Sequence, residues 1–514
     1  MRVPLTSIDF LRRAEEVYGK RVGIIDEPTQ PAASLGDVTY RGFGARCRAL
    51  AAGLDELGVG RGERIAVVSE NAARMLELLF GVTGYGRVCV PINFRLQTSE
   101  IAYIVEHCGA SVLLADPEHE HLLTDAASPA VKHRFVLGKE YDDGLLRPER
   151  DPVPWEEPDE DATATINYTS GTTARPKGVQ ITHRNTWVNA VTFGLHTGVS
   201  DRDVYLHTLP MFHCNGWGMP FAMAGLGVPQ VVLRKVDGTE ILRRVQQHGV
   251  TLACGAPAVW STVLEAAQSW DGPIPGSGAM RIVVAGAPPP TRVIARVEEE
   301  LGWEFTQIYG LTETSPLVTS NRTRAEWDGE PGLERARLLS RAGVPAIGTE
   351  VKIAESGEVL VRSNTVLDGY WEQPDTTEQA LGDGWFHTGD GGTYEGGYLT
   401  ISDRRKDVII TGGENVSSIE VEDAIFSHPA VAEVAVIGVP DERWGETIKA
   451  LIVTAEGESV TEEEIIAWCK ERLARYKAPT SVEIRDAIPR TATGKVQKFK
   501  LREPYWANAE RQIN

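Results

Sequence analysis

Tyr168-Thr-Ser-Gly-Thr-Thr-Ala-Arg-Pro-Lys-Gly-Val179 packs hydroxyls, glycines and two cations into one short segment, the chemistry of a loop that grips phosphate. Thr169, Ser170, Thr172 and Thr173 offer hydroxyl donors, and Gly171 and Gly178 let backbone N–H groups approach an anion closely. Arg175 and Lys177 are placed to neutralise a leaving polyphosphate. The segment is not a Walker A loop, because Pro176 stands where that motif needs glycine before its lysine. Alone, it also has the composition of a polar surface turn.

Upstream of this loop the chain alternates helix and strand patterns. Cys47, Leu50, Ala51, Leu54 and Leu57 recur at helical spacing, and Gly58 supplies a stop. Arg64-Ile-Ala-Val-Val-Ser69 reads as a buried strand, residues 72–85 as a helix and Val88-Cys-Val-Pro-Ile-Asn93 as another strand. That β-α-β unit predicts a parallel sheet with helices on its faces. Strand patterns return over 111–115, 204–209 and 281–285, so the fold class is α/β with a doubly wound core. Residues 151–161, acidic and proline-bearing, read as a connector into the phosphate loop. From Gly343 to Val361 the spacing shifts to short strands and turns, predicting a β subdomain. The charged run Asp403-Arg-Arg-Lys-Asp407 marks the next boundary. The expected domains are therefore 1–403 and a compact α+β lid over 404–514.

Composition fits a large enzyme that binds small molecules. At 514 residues the chain exceeds one compact core. Its net charge of −20 argues against a nucleic-acid partner. The six cysteines are scattered without metal-ligand spacing, which predicts buried free thiols in a reducing cytoplasm. The most apolar span, 221–233, is broken by Gly225, Gly227 and Pro229, so no membrane helix is expected.

Four more segments follow in order: Tyr309-Gly-Leu-Thr-Glu-Thr-Ser-Pro316; His387-Thr-Gly-Asp390; Asp403 to Asp407 with Gly412-Gly413-Glu414-Asn415; and Pro489-Arg-Thr-Ala-Thr-Gly-Lys495. In this order and spacing the whole chain resembles the adenylate-forming superfamily of acyl-CoA synthetases, peptide-synthetase adenylation domains and luciferases. It is most similar to the acid–CoA ligases. The resemblance implies a large N-terminal domain of doubly wound sheets with a β subdomain, followed by a mobile α+β C-terminal lid. It also implies the reaction: a carboxylic acid is activated with ATP as acyl-AMP, then transferred to coenzyme A. An enzyme of this fold performing only one half-reaction is the alternative.

The resemblance assigns roles residue by residue. Thr169 to Thr173 and Lys177 would hold the β- and γ-phosphates, although the family pattern has glycine where this chain has Ala174. Gly286-Ala287-Pro288 would line the adenine, Tyr309 and Gly310 would pack on it, and Thr312 would reach the α-phosphate. Glu313 would hold Mg²⁺, which favours oxygen ligands. Asp390 would accept from both ribose hydroxyls, a role that suits an acceptor-only carboxylate. Arg404 would touch the nucleotide, and Lys406 would be the pivot of the lid. Lys495 would bridge the carboxylate and α-phosphate, then withdraw while Gly412 and Gly413 line the passage for the pantetheine. Out of context, each has an ordinary reading: a capped helix start, a turn aspartate, a solvated lysine.

Leu209-Pro-Met-Phe-His213 resembles the segment that borders the family's acyl site, which makes His213 a site residue. Trp217 is expected to project toward the acid, with Met219, Phe221, Gly310 and Leu311 as neighbours. An indole there would limit depth or stack on an aryl acid. A short, medium-chain, aryl or compact cyclic acid follows; Trp217 as plain core is the alternative. Val439-Pro-Asp-Glu-Arg-Trp-Gly-Glu446 is similar to a segment common in CoA ligases, a resemblance that favours coenzyme A as acceptor. A carrier protein and a homodimer partner are the macromolecular alternatives.

Overall fold

The structure is a computed structural model that describes residues 1–169, 175–404, 407–411, 414–441, 444–491 and 495–506, without the side chains of Asp403, Arg404 and Asn415. It is a mixed α/β protein with a large N-terminal and a small C-terminal domain.

The predicted β-α-β unit is present. Strand Arg64–Val68 leads through helix Ala73–Thr83 to strand Val88–Ile92, and the two strands pair in parallel. The strands are apolar and buried on both faces because helices cover both sides. They belong to a seven-stranded sheet that also contains Thr163–Thr169, whose antiparallel neighbour is Lys177–Thr182. The segment linking those two strands is the phosphate-loop sequence, so its ends are held in register with Thr169 opposite Lys177.

A nine-stranded sheet carries Tyr205–His207, Leu252–Gly255, Arg281–Val284 and Glu304–Gly310. These strands run parallel, and their C-terminal ends lead into residues 208–213, 285–288 and 311–316. The rule that ligands bind beyond the carboxyl ends of parallel strands therefore places a site there. The predicted β subdomain is a four-stranded antiparallel sheet, Thr349–Ile353, Glu358–Ser363, Phe386–Glu395 and Tyr398–Arg404.

The last strand of that sheet ends at Arg404, and the next, Ile409–Thr411, opens a separate sheet that continues through Val431–Asp441, Gly445–Thr454 and Ser481–Ile484. This C-terminal part has its own apolar core around Val421, Val436 and Ile465. It meets the rest through polar contacts and one apolar one: Asp423 accepts from the Thr291 backbone N–H at 2.9 Å and its hydroxyl at 3.0 Å, the Ser417 hydroxyl donates to the Ser402 carbonyl, and Phe426 packs against the N-terminal core around Val293. All six cysteines are free and buried. No helix among the described residues is long and apolar enough to cross a membrane.

Candidate active site

Tyr309 and Asp390, 81 residues apart, meet in a hydrogen bond from the phenol to the carboxylate at 2.7 Å. Asp390 is only 7% exposed, and its backbone N–H donates to the Thr388 hydroxyl at 3.1 Å, which fixes the turn carrying it. Arg404 stands opposite Asp390 in the strand register, so the two residues assigned to the nucleotide lie on adjacent strands.

Glu313 follows the strand Glu304–Gly310 and accepts from the Tyr370 hydroxyl at 3.1 Å. Lys177 lies over the Tyr370 ring, 5.2 Å from its centroid. Tyr370 thus joins the post-loop lysine to the carboxylate expected to hold a metal. It is a site neighbour that no sequence motif indicated. Burial and the adjacent Glu313 carboxylate hold its phenol protonated, with a pKa raised well beyond the ordinary range. Arg175 packs over Tyr103, 5.3 Å from the ring centroid.

A cavity of about 30 Å³ is lined by His213, Cys214, Trp217, Gly310, Thr312 and Lys495, among others. Gly286 is a further wall, 3.9 Å from the Lys495 side chain when measured from where its Cβ would be. Gly310 cannot be replaced without movement, because a Cβ there would lie 1.6 Å from the Pro316 carbonyl oxygen. Lys495, from the C-terminal domain, therefore enters the same space as residues from three N-terminal segments. The Lys495 backbone N–H donates to the Thr491 hydroxyl at 3.1 Å.

Burial and then the Lys495 cation push the His213 imidazole down to about 3, so it is neutral at physiological pH. Burial also raises the Cys214 thiol; Glu313 reinforces this shift and Lys495 opposes it, and the sulfur stays protonated. The segment before His213 is fixed by Asn71, which donates to the carbonyls of His207 and Leu209 and accepts from the Met211 N–H at 2.8 Å.

Trp217 is 4% exposed and still lines the cavity, so it is both core and wall. Leu311 also lines it. Met219 and Phe221 do not. They lie on helix Met219–Leu226, fully buried against the N-terminal helix Ile8–Tyr18, with Phe221 at 4.8 Å from the Phe80 ring and 6.3 Å from that of Phe10. Ala287 is half-buried and Pro288 exposed, and only Gly286 of that trio reaches the cavity. Thr169 ends its strand half-buried. Ser170, Gly171, Thr172, Thr173, Lys406, Gly412 and Gly413 lie outside the described residues, as does the Arg404 side chain.

Comparisons with known proteins give the family of the chain. The profile of the AMP-binding enzyme family matches residues 11–371, and that of the AMP-binding enzyme C-terminal domain matches 420–495. The chain is 39% identical to a 2-methylpropanoate–CoA ligase of Humulus lupulus, over 97% of this chain and 95% of that protein. It is 38% identical to a probable peroxisomal acyl-activating enzyme of Arabidopsis thaliana, over 97% and 96%. Among solved structures, it resembles ATP-bound MatB from Rhodopseudomonas palustris with a TM-score of 0.85 at 27% identity, covering 98% of this chain and 100% of that one.

Proposed function

Because the chain belongs to the AMP-binding enzyme family, we propose that it is an ATP-dependent acid–CoA ligase for a short, medium-chain, aryl or compact cyclic carboxylic acid. The observation that carries this reading is the shared cavity, where Lys495 meets Trp217, His213 and the Gly310–Thr312 segment. One carboxylate oxygen of the acid attacks the α-phosphorus in line as the bond to pyrophosphate breaks. Catalysis of such a step is mainly positioning and charge stabilisation.

Lys495 offsets the charge on the carboxylate and α-phosphate, and Thr312 holds the α-phosphate. Tyr309 packs on adenine and Asp390 receives the ribose hydroxyls. Neutral His213 borders the acid without adding a charge that would compete with Lys495. The Glu313 carboxylate, half-buried and oriented by Tyr370, suits Mg²⁺, which would neutralise phosphate charge.

In the second step the thiol of coenzyme A attacks the acyl carbon, the C–S bond forms and AMP leaves. The lid comprises residues 404–514 and turns about Lys406, which withdraws Lys495 and lets Gly412 and Gly413 line the pantetheine passage. Polar inter-domain contacts at Asp423 and Ser417 support this reading, since they can be exchanged for water at little loss. The buried free cysteines support a cytoplasmic location.

The test is AMP, pyrophosphate and thioester formation across an acid panel, with and without coenzyme A, read by mass spectrometry. Acyl-CoA with AMP is the expected product. Adenylate without thioester would instead assign a carrier-protein acceptor, and ADP would overturn the reading.

A further inference from the structure

Five consecutive residues behind the acid cavity hold left-handed backbone: Cys214 at φ 47°, Asn215 at 53°, Gly216 at 60°, Trp217 at 63° and Gly218 at 74°. Side chains with a Cβ strongly disfavour this conformation, and successive residues rarely adopt it. Two of the five are glycine and one is asparagine, the residues that tolerate it best. Cys214 and Trp217 have no such excuse, and both line the cavity. Something outside the turn must hold it.

Thr165 and Asn167 supply that hold, through Asn215. Its side-chain amide donates to the Thr165 hydroxyl at 2.8 Å, and its side-chain oxygen accepts from Asn167 at 3.2 Å. Thr165 in turn donates to the Asn167 oxygen at 3.0 Å, and Asn167 donates to the Phe212 carbonyl at 3.3 Å. All three side chains are buried, so the ring is closed and dry. On the other side, Asn189 donates to the Trp217 carbonyl at 3.0 Å and accepts from the Leu317 N–H at 3.2 Å, tying the turn to the cavity wall at Pro316.

We propose that Asn215 is a positioning residue for the acid: through Thr165 and Asn167 it locks the left-handed turn that delivers Trp217 into the cavity. The inference rests on the cavity being the acid site. Thr165 and Asn167 belong to a strand held by ladders on both sides. When the ring opens, the turn yields and the strand stays, so ATP binding downstream of that strand is spared.

Asn215→Gly separates the two contributions, because glycine keeps the backbone freedom and deletes the amide. Expected is a rise of about tenfold in KM for the preferred acid, the loss associated with buried hydrogen bonds, with KM for ATP unchanged. The acid panel should widen toward bulkier acids. Thr165→Val keeps the volume and breaks the same ring, so it carries the test if the glycine variant does not fold. Thr165→Ser restores the hydroxyl and the wild-type profile. Both KM values rising together, or neither rising, would overturn the proposal. A wild-type enzyme that activates no acid would instead remove the functional reading beneath it.

Discussion

Lys495 is separated in sequence from every other residue lining the cavity, yet its ammonium is set beside Gly286 and near His213 and Cys214. In the proposed reaction its cation serves the adenylation step and not the thioester step. Lys495→Ala should lower acyl-adenylate formation about 10²- to 10³-fold, the scale of losing one preorganised charge at a developing anion. Attack of coenzyme A on a supplied adenylate should keep its rate. The two half-reactions measured separately check this, and equal losses would contradict a lid that withdraws. The structure joins Tyr309 to Asp390 and brings Thr312 and Lys495 to one cavity, and each of the four stands in a distinctive short context of the sequence. Tyr370 was not legible. Its partnership with Glu313 and Lys177 comes from the pairing of Gly369–Tyr370 with Lys177–Thr182, a long-range register without a local signal.

At the scale of elements, helix Ser418–Phe426 lends Asp423 to the start of helix Thr291–Arg296 across the domain boundary. The carboxylate satisfies an N–H that the short helix leaves without an internal partner. Asp423→Ala removes that cap only in the arrangement that brings Lys495 into the cavity. Adenylation should slow about fivefold, in line with roughly 1 kcal/mol for a cap. The melting temperature of the N-terminal domain should not change. Stopped-flow pyrophosphate release measures the first quantity and calorimetry the second.

Strand patterns such as 64–69 and 281–285 were legible because both-face burial makes them continuous apolar runs. The turn over 214–218 was not legible, since left-handed backbone at Cys214 and Trp217 is imposed by distant asparagines. The helix after that turn packs Phe221 against Ile8–Tyr18, and neither Met219 nor Phe221 lines the cavity.

The whole molecule carries an acid sensitivity that follows from its buried imidazoles. Burial lowers His183 and His207 to about 4 and His213 to about 3, against an ordinary value of 6.5. Between those values the unfolded chain binds protons that the folded chain refuses, so stability rises with pH across this window. It is fully present above about pH 6.5 and is lost as pH falls toward 4, by about 1.4 kcal/mol per pH unit for each such histidine. Urea midpoints taken from pH 7.5 to 5 should fall steadily, and His207→Gln should flatten the slope. An unchanged midpoint across that range would contradict the burial of neutral rings.

The cavity described above borrows one wall from the lid, which gives the acid a timetable. If the lid moves as proposed, an acid admitted while it stands away is enclosed when Lys495 arrives, and it escapes no faster than the lid reopens. Its residence is then governed by a domain movement common to every acid, not by the affinity of each one. On that proposal, choice among acids would fall at admission, before any ATP is consumed, and a wrong acid turned away at that stage would waste no nucleotide.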